Sequence, residues 1–242
     1  MEKTIVSSIS DDNPDFELEG YTVIGVCYSL LAASLQEAFG DGIYSPSIGF
    51  TLAFGNYGKE LVALSGLLMS IGGLIGGVCP IVFSTWIRRH RYARKSIVLI
   101  GCSGQLLAYL ITFINLPDTA VFGDTDQLSL ITPSVTLAMT GSLLLTFGDS
   151  CLNTQIYSII AELFRESSAE ACAFYKLIKA VAIATSFYSC SHIGLHVQAA
   201  ILSTMALVGV FFFFVADNDI PVATNEIKTV PQDIETSQNK KI

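Results

Sequence analysis

Charge is what this sequence has least of. Charged residues make up 14% of its 242 positions, against about 25% in an ordinary globular domain. The formal charge of −8 belongs to the ends: residues 1–20 and 217–242 hold 11 of the 21 acids and 4 of the 13 bases, a charge of −7. The body between them carries −1, which excludes a basic surface for nucleic acid. Paired cysteines are also missing. Cys27, Cys79, Cys102, Cys151, Cys172 and Cys190 stand singly in apolar surroundings, with no CxxC and no ligand-like grouping with His90, His192 or His196. They read as small packing residues, and neither a metal site nor a cofactor is expected. His192 and His196 flank Gly194, the pattern of a turn at a membrane surface. The sequence has no N-x-[ST] acceptor, no phosphate loop ending in Lys-Ser/Thr, no HExxH and no GxSxG, so nothing marks an enzyme. Met1 to Gly20 is acidic and lacks a basic lead, so no cleavable signal peptide is expected.

Apolar sequence is what the chain has in abundance, at 51% hydrophobic residues and a mean hydropathy of +0.56. Six long stretches carry it: Tyr21 to Phe54, Leu61 to Ile87, Ser96 to Leu116, Ser134 to Ile160, Ala171 to Ile193 and Leu195 to Ala216. A spanning helix needs about 20 such residues, because the hydrocarbon layer is about 30 Å thick and each residue rises about 1.5 Å. The expected fold is an all-α membrane protein of six transmembrane helices, spanning 21–216. The polar ends, 1–20 and 217–242, lack helical periodicity and are expected to be unstructured tails.

The loop Arg88-Arg89-His90-Arg91-Tyr92-Ala93-Arg94-Lys95 fixes the expected orientation. Arg88, Arg89, Arg91, Arg94 and Lys95 are five of the thirteen basic residues. Short basic loops stay cytoplasmic. Counting outward from this loop, both termini are cytoplasmic, with Lys3, Arg165, Lys228, Lys240 and Lys241 inside and only Lys59 outside. The segment Pro117 to Pro133, with Asp118, Asp124 and Asp126, then faces outward.

Two stretches depart from plain apolar helix. The first contains Gly40, Gly42 and Pro46, which predicts a bend or break in its outer half. Such breaks sit where backbone faces protein or a cavity. The second is rich in Gly66, Gly72, Gly73, Gly76 and Gly77, then Pro80. Gly72/Gly76 and Gly73/Gly77 are overlapping GxxxG pairs, suited to close helix packing within the chain or to a dimer face.

Function is to be sought among the intramembrane polar residues. Asp149 falls near the bilayer midplane, where an acid costs roughly 2.5–3.5 kcal/mol on insertion scales. Thr146, Asp149, Ser150, Asn153 and Tyr157 lie within about 100° of arc on one helix face. Ser34, Glu37, Asp41 and Tyr44 share a face of the first stretch if its helix continues through Gly40. Desolvation disfavours the ionised form of a midplane acid. Asp149 or Glu37 is therefore read either as a proton- or cation-exchanging group or as a hydrogen-bonded packing acid. Lys176 is shallow enough to snorkel. Lys179 lies deeper, within reach of Asp149 or Glu170 as a partner, or serves as an anchor. Glu162, Glu166 and Glu170 read as a solvated face.

Gly148-Asp149-Ser150-Cys151-Leu152-Asn153-Thr154-Gln155-Ile156-Tyr157-Ser158 closely resembles a signature of the Unc-93-like branch of the major facilitator superfamily. Leu64-Ser65-Gly66 through Gly76-Gly77, and Ala173-Phe174-Tyr175-Lys176, look like further pieces of that pattern. The resemblance runs from about residue 21 to 216. It implies the carboxyl-terminal half of a twelve-helix protein, built as two inverted three-helix repeats whose first and fourth helices line a central cavity. The loop from Arg88 to Lys95 then matches the superfamily's basic cytoplasmic loop, in a degenerate form without the Asp-Arg pattern. The usual first half is absent, and Gly73 stands where the family often has an acid. A truncated form of a longer protein is expected, with a half-unit that dimerises as the alternative.

Two functions are expected. One is a solute transporter, or half of one, using Glu37, Asp41, Asp149, Asn153, Thr146, Ser150, Tyr157 and Lys179 around a polar cavity. The other is an accessory membrane protein that controls assembly or trafficking of channels or receptors. The expected partners are the lipid bilayer, an unknown small solute or a membrane protein, and a second copy of the chain.

Overall fold

The computed structural model describes residues 14–87, 93–127, 129–163, 168–190 and 192–215. They are almost wholly helical. In chain order come α1 (Pro14–Phe39), a π-helical turn (Gly40–Tyr44), α2 (Ser45–Phe50), a 3-10 turn (Leu52–Tyr57), α3 (Gly58–Ile87) and α4 (Ala93–Asn115). A second 3-10 turn (Asp118–Val121), α5 (Val135–Leu163), α6 (Ser168–Cys190) and α7 (Leu195–Val215) complete the order.

Among the described residues, five helical spans are long and apolar enough to cross a bilayer: Gly58–Val82, Arg94–Asn115, Val135–Ala161, Ala169–Tyr188 and Leu195–Val215. Six such spans are expected from the sequence. The first stretch is helical from Pro14 to Phe39, and it stands outside this group because several of its side chains lie outside the described residues. Its helix begins at Pro14, ahead of the expected boundary at Tyr21, so residues 14–20 are not the unstructured tail that their polarity suggests. Residues 1–13 and the expected tail 217–242 lie outside the described residues, as do Arg88, Arg89, His90, Arg91 and Glu166.

The predicted break in the first stretch is present. Gly40–Tyr44 winds as a π-helix before the α-helix resumes at Ser45. A π-bulge inserts one residue into an α-helix and shifts the register of every later turn. Pro46 falls in the first turn of α2, directly after the π turn, and lacks the N–H that would bond a carbonyl of that turn. Past α2 the chain is fixed to the segment after α4 by main-chain bonds, Leu52 N–H to the Thr125 carbonyl at 3.2 Å and Thr125 N–H to the Phe50 carbonyl at 2.9 Å.

Glycine seams set the packing of α5. At Gly72 and Gly76 of α3 an added Cβ would run into the carbonyl oxygens of Leu143 and Phe147, so only glycine allows this approach. On its other flank, Gly148 of α5 leaves no room for a Cβ beside Gly101 and Gln105 of α4. Of the five glycines singled out as packing residues, Gly72 and Gly76 lie against a neighbouring backbone. Among the described residues, Gly66 and Gly77 have nothing near their missing side chains, and Gly73 is only in ordinary contact range of Ser150, at 3.6 Å. α7 lies against α1, with Ser29 donating to the Gly209 carbonyl at 3.1 Å and Tyr28 tilted against Phe212.

Buried side chains form two apolar clusters. One gathers Phe39, Tyr44, Ile48, Tyr109, Ala138, Leu145 and Leu202 among others. The second gathers Leu30, Ala33, Val98, Leu152, Ile156, Tyr175 and Phe213 among others. Along α1, α4 and α5 the residues between the two clusters include Gln36, Glu37, Gln105 and Asp149. A polar level therefore separates two oily ones, and the candidate site lies there.

Candidate functional site

Asp149 is the middle residue of α5. Asn153, one turn on, donates its amide to Asp149 Oδ2 at 2.8 Å. Asn153 Oδ1 in turn accepts from the Tyr175 hydroxyl of α6 at 2.7 Å. Tyr157 meets the Tyr175 ring edge-on, with centroids 5.0 Å apart. Among the described residues Asp149 Oδ1 is buried with no hydrogen-bond partner. Such an atom is expensive to keep dry.

The second charged group spans helices. Lys179 of α6 forms an ion pair with Glu37 of α1, and its ammonium lies over the Tyr175 ring, 5.8 Å from the centroid. Neither partner expected for Lys179, Asp149 or Glu170, is the one it takes. The neighbour of α6 across this level is α1, which spacing along α6 alone does not reveal.

A cavity of about 320 Å³ opens between α1, the π turn, α2, α3 and α5. Gln36, Glu37, Gly40, Asp41 and Ser45 line one side, Gly66, Met69, Ser70 and Gly73 a second, and Leu145, Thr146, Asp149 and Ser150 a third. Five of the sequence-derived site residues meet there: Glu37, Asp41, Thr146, Asp149 and Ser150. Asn153, Tyr157 and Lys179 sit behind that lining, holding Asp149, Tyr175 and Glu37.

Of the shared face expected for Ser34, Glu37, Asp41 and Tyr44, Glu37 and Asp41 meet at the cavity and Ser34 and Tyr44 do not. Ser34 is buried and donates to the Leu30 carbonyl at 2.7 Å. Tyr44 is buried in the apolar core and donates to the Ala138 carbonyl at 2.8 Å. The π turn is the reason, since its extra residue rotates Tyr44 away from the Glu37 face.

Sequence reasoning missed the α3 wall of the cavity and the residues Gln36, Ser45, Met69, Ser70 and Tyr175. The lone Gln36 inside an apolar run is a usable signal. Ser70 and Gly73 are hidden among glycines that read as packing. Among the described residues, no group of three or more His, Cys, Asp and Glu side chains is placed to hold a metal ion.

His196 has a structural place at the Gly194 turn. Its N–H donates to Asp118 Oδ1 at 2.7 Å and its ring Nε2 meets the Leu116 carbonyl at 3.0 Å. Of the topology residues that are described, Arg94 reaches Ser158 Oγ at 3.4 Å and Lys95 lies over the Phe214 ring, 5.9 Å from its centroid.

Long apolar helices around a buried charged level define a multi-pass α-helical membrane protein. More particularly, the chain belongs to the UNC-93 family: the family model described as "Ion channel regulatory protein UNC-93" matches residues 23–214. This is the Unc-93-like branch of the major facilitator superfamily that the α5 signature resembles. Two relatives, each called "UNC93-like protein MFSD11", come from Xenopus laevis and Xenopus tropicalis. They are 34% and 33% identical to the chain over 191 residues. Each alignment takes in 77% of this chain and 42% of the relative, so the chain spans less than half the length of these relatives. No solved structure gives a significant match.

Proposed function

We propose that the chain is a six-crossing half of a major-facilitator-type transporter, binding a small solute in the cavity between α1, α3 and α5. The observation that carries this reading is the cavity itself, with Glu37, Asp41 and Asp149 on its wall. Holding three acids within the spanning helices is costly, and a solute pathway is the usual reason for it. On this reading α1 with α2, α3 and α4 form one three-helix repeat, and α5, α6 and α7 form its inverted partner. Both termini are cytoplasmic, because the basic loop 88–95 stays inside. The chain corresponds to the carboxyl-terminal half of its longer relatives, and a second half or a second copy closes the cavity.

The test uses the chain reconstituted into vesicles, with a pH-sensitive dye inside and an imposed pH gradient. Proton-coupled flux should appear with the wild type and be lost in Asp149→Asn. Equal flux from both removes Asp149 from the transport cycle, and no flux from either removes the transporter reading.

A second reading has its own support, in the description of the matched family as ion channel regulatory proteins. There the chain binds a channel or receptor within the bilayer and controls its assembly, with no solute transported. Altered channel current on co-expression, unchanged by Asp149→Asn, favours this reading.

A further inference from the structure

We propose that the cavity takes an organic ammonium ion, its N–H groups bonded to Asp149 and Asp41 and its hydrocarbon body lying on Met69 and Leu145. This rests on the reading of the cavity as a solute site and adds the chemical class of the solute.

Three of the hydroxyl protons on the cavity wall are already committed. The Thr146 hydroxyl donates to the Met69 carbonyl, at 2.7 Å. The Ser70 hydroxyl donates to the Gly66 carbonyl, at 3.0 Å. Ser65 donates to the Val62 carbonyl at 2.8 Å, so in the 2.7 Å contact between Ser45 and Ser65 it is Ser45 that donates. The hydroxyls of Thr146, Ser70 and Ser45 therefore offer the cavity only oxygen lone pairs.

The remaining polar groups point the same way. Gln36 is 3% exposed, and among the described residues its carbonyl Oε1 is buried without a partner. Asp149 Oδ1 is in the same condition, while Oδ2 is already bonded to Asn153. Asp41 adds a second carboxylate to the same wall. Glu37 is neutralised by Lys179, which does not itself line the cavity.

Such a wall accepts more than it donates, the Ser150 hydroxyl and the Gln36 amide being its side-chain donors. An anion would find carboxylates and lone pairs, with the nearby ammonium already paired. A neutral solute would leave the two acids to take up protons in a low-dielectric level, without the ion pairs that a cation provides. A cation with several N–H groups satisfies both the charge and the empty acceptors. The volume of about 320 Å³ holds roughly ten waters at about 30 Å³ each, which is more than a bare ion needs.

Thermal unfolding of the purified full chain, with three probes of nearly one shape, tests this: phenethylammonium, 2-phenylethanol and phenylacetate at matched ionic strength. Phenethylammonium should raise the Tm saturably, and the alcohol and the carboxylate should not. Asp149→Asn should weaken the apparent affinity for phenethylammonium at least tenfold, and the conservative Asp41→Asn should weaken it in the same direction. An equal shift from the alcohol or the carboxylate overturns the proposal. So does no shift from phenethylammonium, wild-type affinity in both variants, or a shift from sodium chloride over choline chloride without one from phenethylammonium. Because the comparison of probes uses only wild-type protein, it stands even if a variant fails to fold. Ammonium binding without vesicle flux keeps this inference and removes the transporter reading, whereas flux of a neutral or anionic solute does the reverse.

Discussion

The Tyr175 hydroxyl decides which way Asn153 faces. It donates to Asn153 Oδ1 at 2.7 Å, which leaves the amide N–H of Asn153 to reach Asp149 Oδ2 at 2.8 Å. A residue of α6 thereby orients an acid in the middle of α5, and the ordering of both helices is shared. Tyr175→Phe should lower stability by about 1 kcal/mol, the usual net value of one hydrogen bond. It should also weaken phenethylammonium binding by releasing Asp149. Unfolding and titration on the same preparation check both, and an unchanged affinity would detach Tyr175 from the site.

The ion pair between Lys179 and Glu37 joins α1 to α6, with side chains 18% and 28% exposed. A double-mutant cycle with Lys179→Met and Glu37→Gln should give a coupling energy of about 0.5–3 kcal/mol. The double variant should be more stable than the sum of the single losses implies, because each single change strands a charge. Strict additivity in thermal unfolding would mean that the two groups do not interact in solution.

The glycine seam between α3 and α5 is selective by position. Gly76→Leu should destabilise by about 1–3 kcal/mol or more, since its side chain would meet the Phe147 backbone, which cannot turn aside. Gly77→Leu, with open space at that site among the described residues, should stay within about 0.5 kcal/mol of wild type. Detergent unfolding curves of the two variants, run side by side, supply the comparison. Equal behaviour would place the seam elsewhere.

Tyr44 ties the π turn to the start of α5 through the Ala138 carbonyl, at 2.8 Å. Tyr44→Phe keeps the ring and leaves that contact unmade, so a loss of about 1 kcal/mol is expected. Gly141→Ala should cost more, since its methyl group would collide with the Tyr44 hydroxyl. A Gly141→Ala variant as stable as wild type would show that Tyr44 can move away freely.

Much of the fold is legible in the sequence, for identifiable reasons. Helix length against bilayer thickness marks the spans, and Gly40, Gly42 and Pro46 mark the break. The cost of an intramembrane acid singles out Asp149 and Glu37. The hidden part depends on which helix stands beside which. Lys179 takes Glu37 rather than Asp149 or Glu170 because α6 lies along α1 at that level, and no periodicity records this. The α3 wall escapes notice because Gly66, Ser70 and Gly73 look alike whether they face a cavity or a neighbouring backbone. Tyr44 falls on the wrong face when a 3.6-residue period is carried through a turn that does not obey it.

That irregular turn also separates two azimuths that one unbroken rod would lock together. Glu37 is aligned by the amine across from it on α6, and Tyr44 by a main-chain oxygen on α5. Excising Gly42 would wind the segment into ordinary α-helix and swing one end by about 100° against the other. Either the carboxylate or the phenol would then lose its appointed neighbour. The surplus residue is thus a phase adjuster, letting a single strand of chain answer to two different partners along its length.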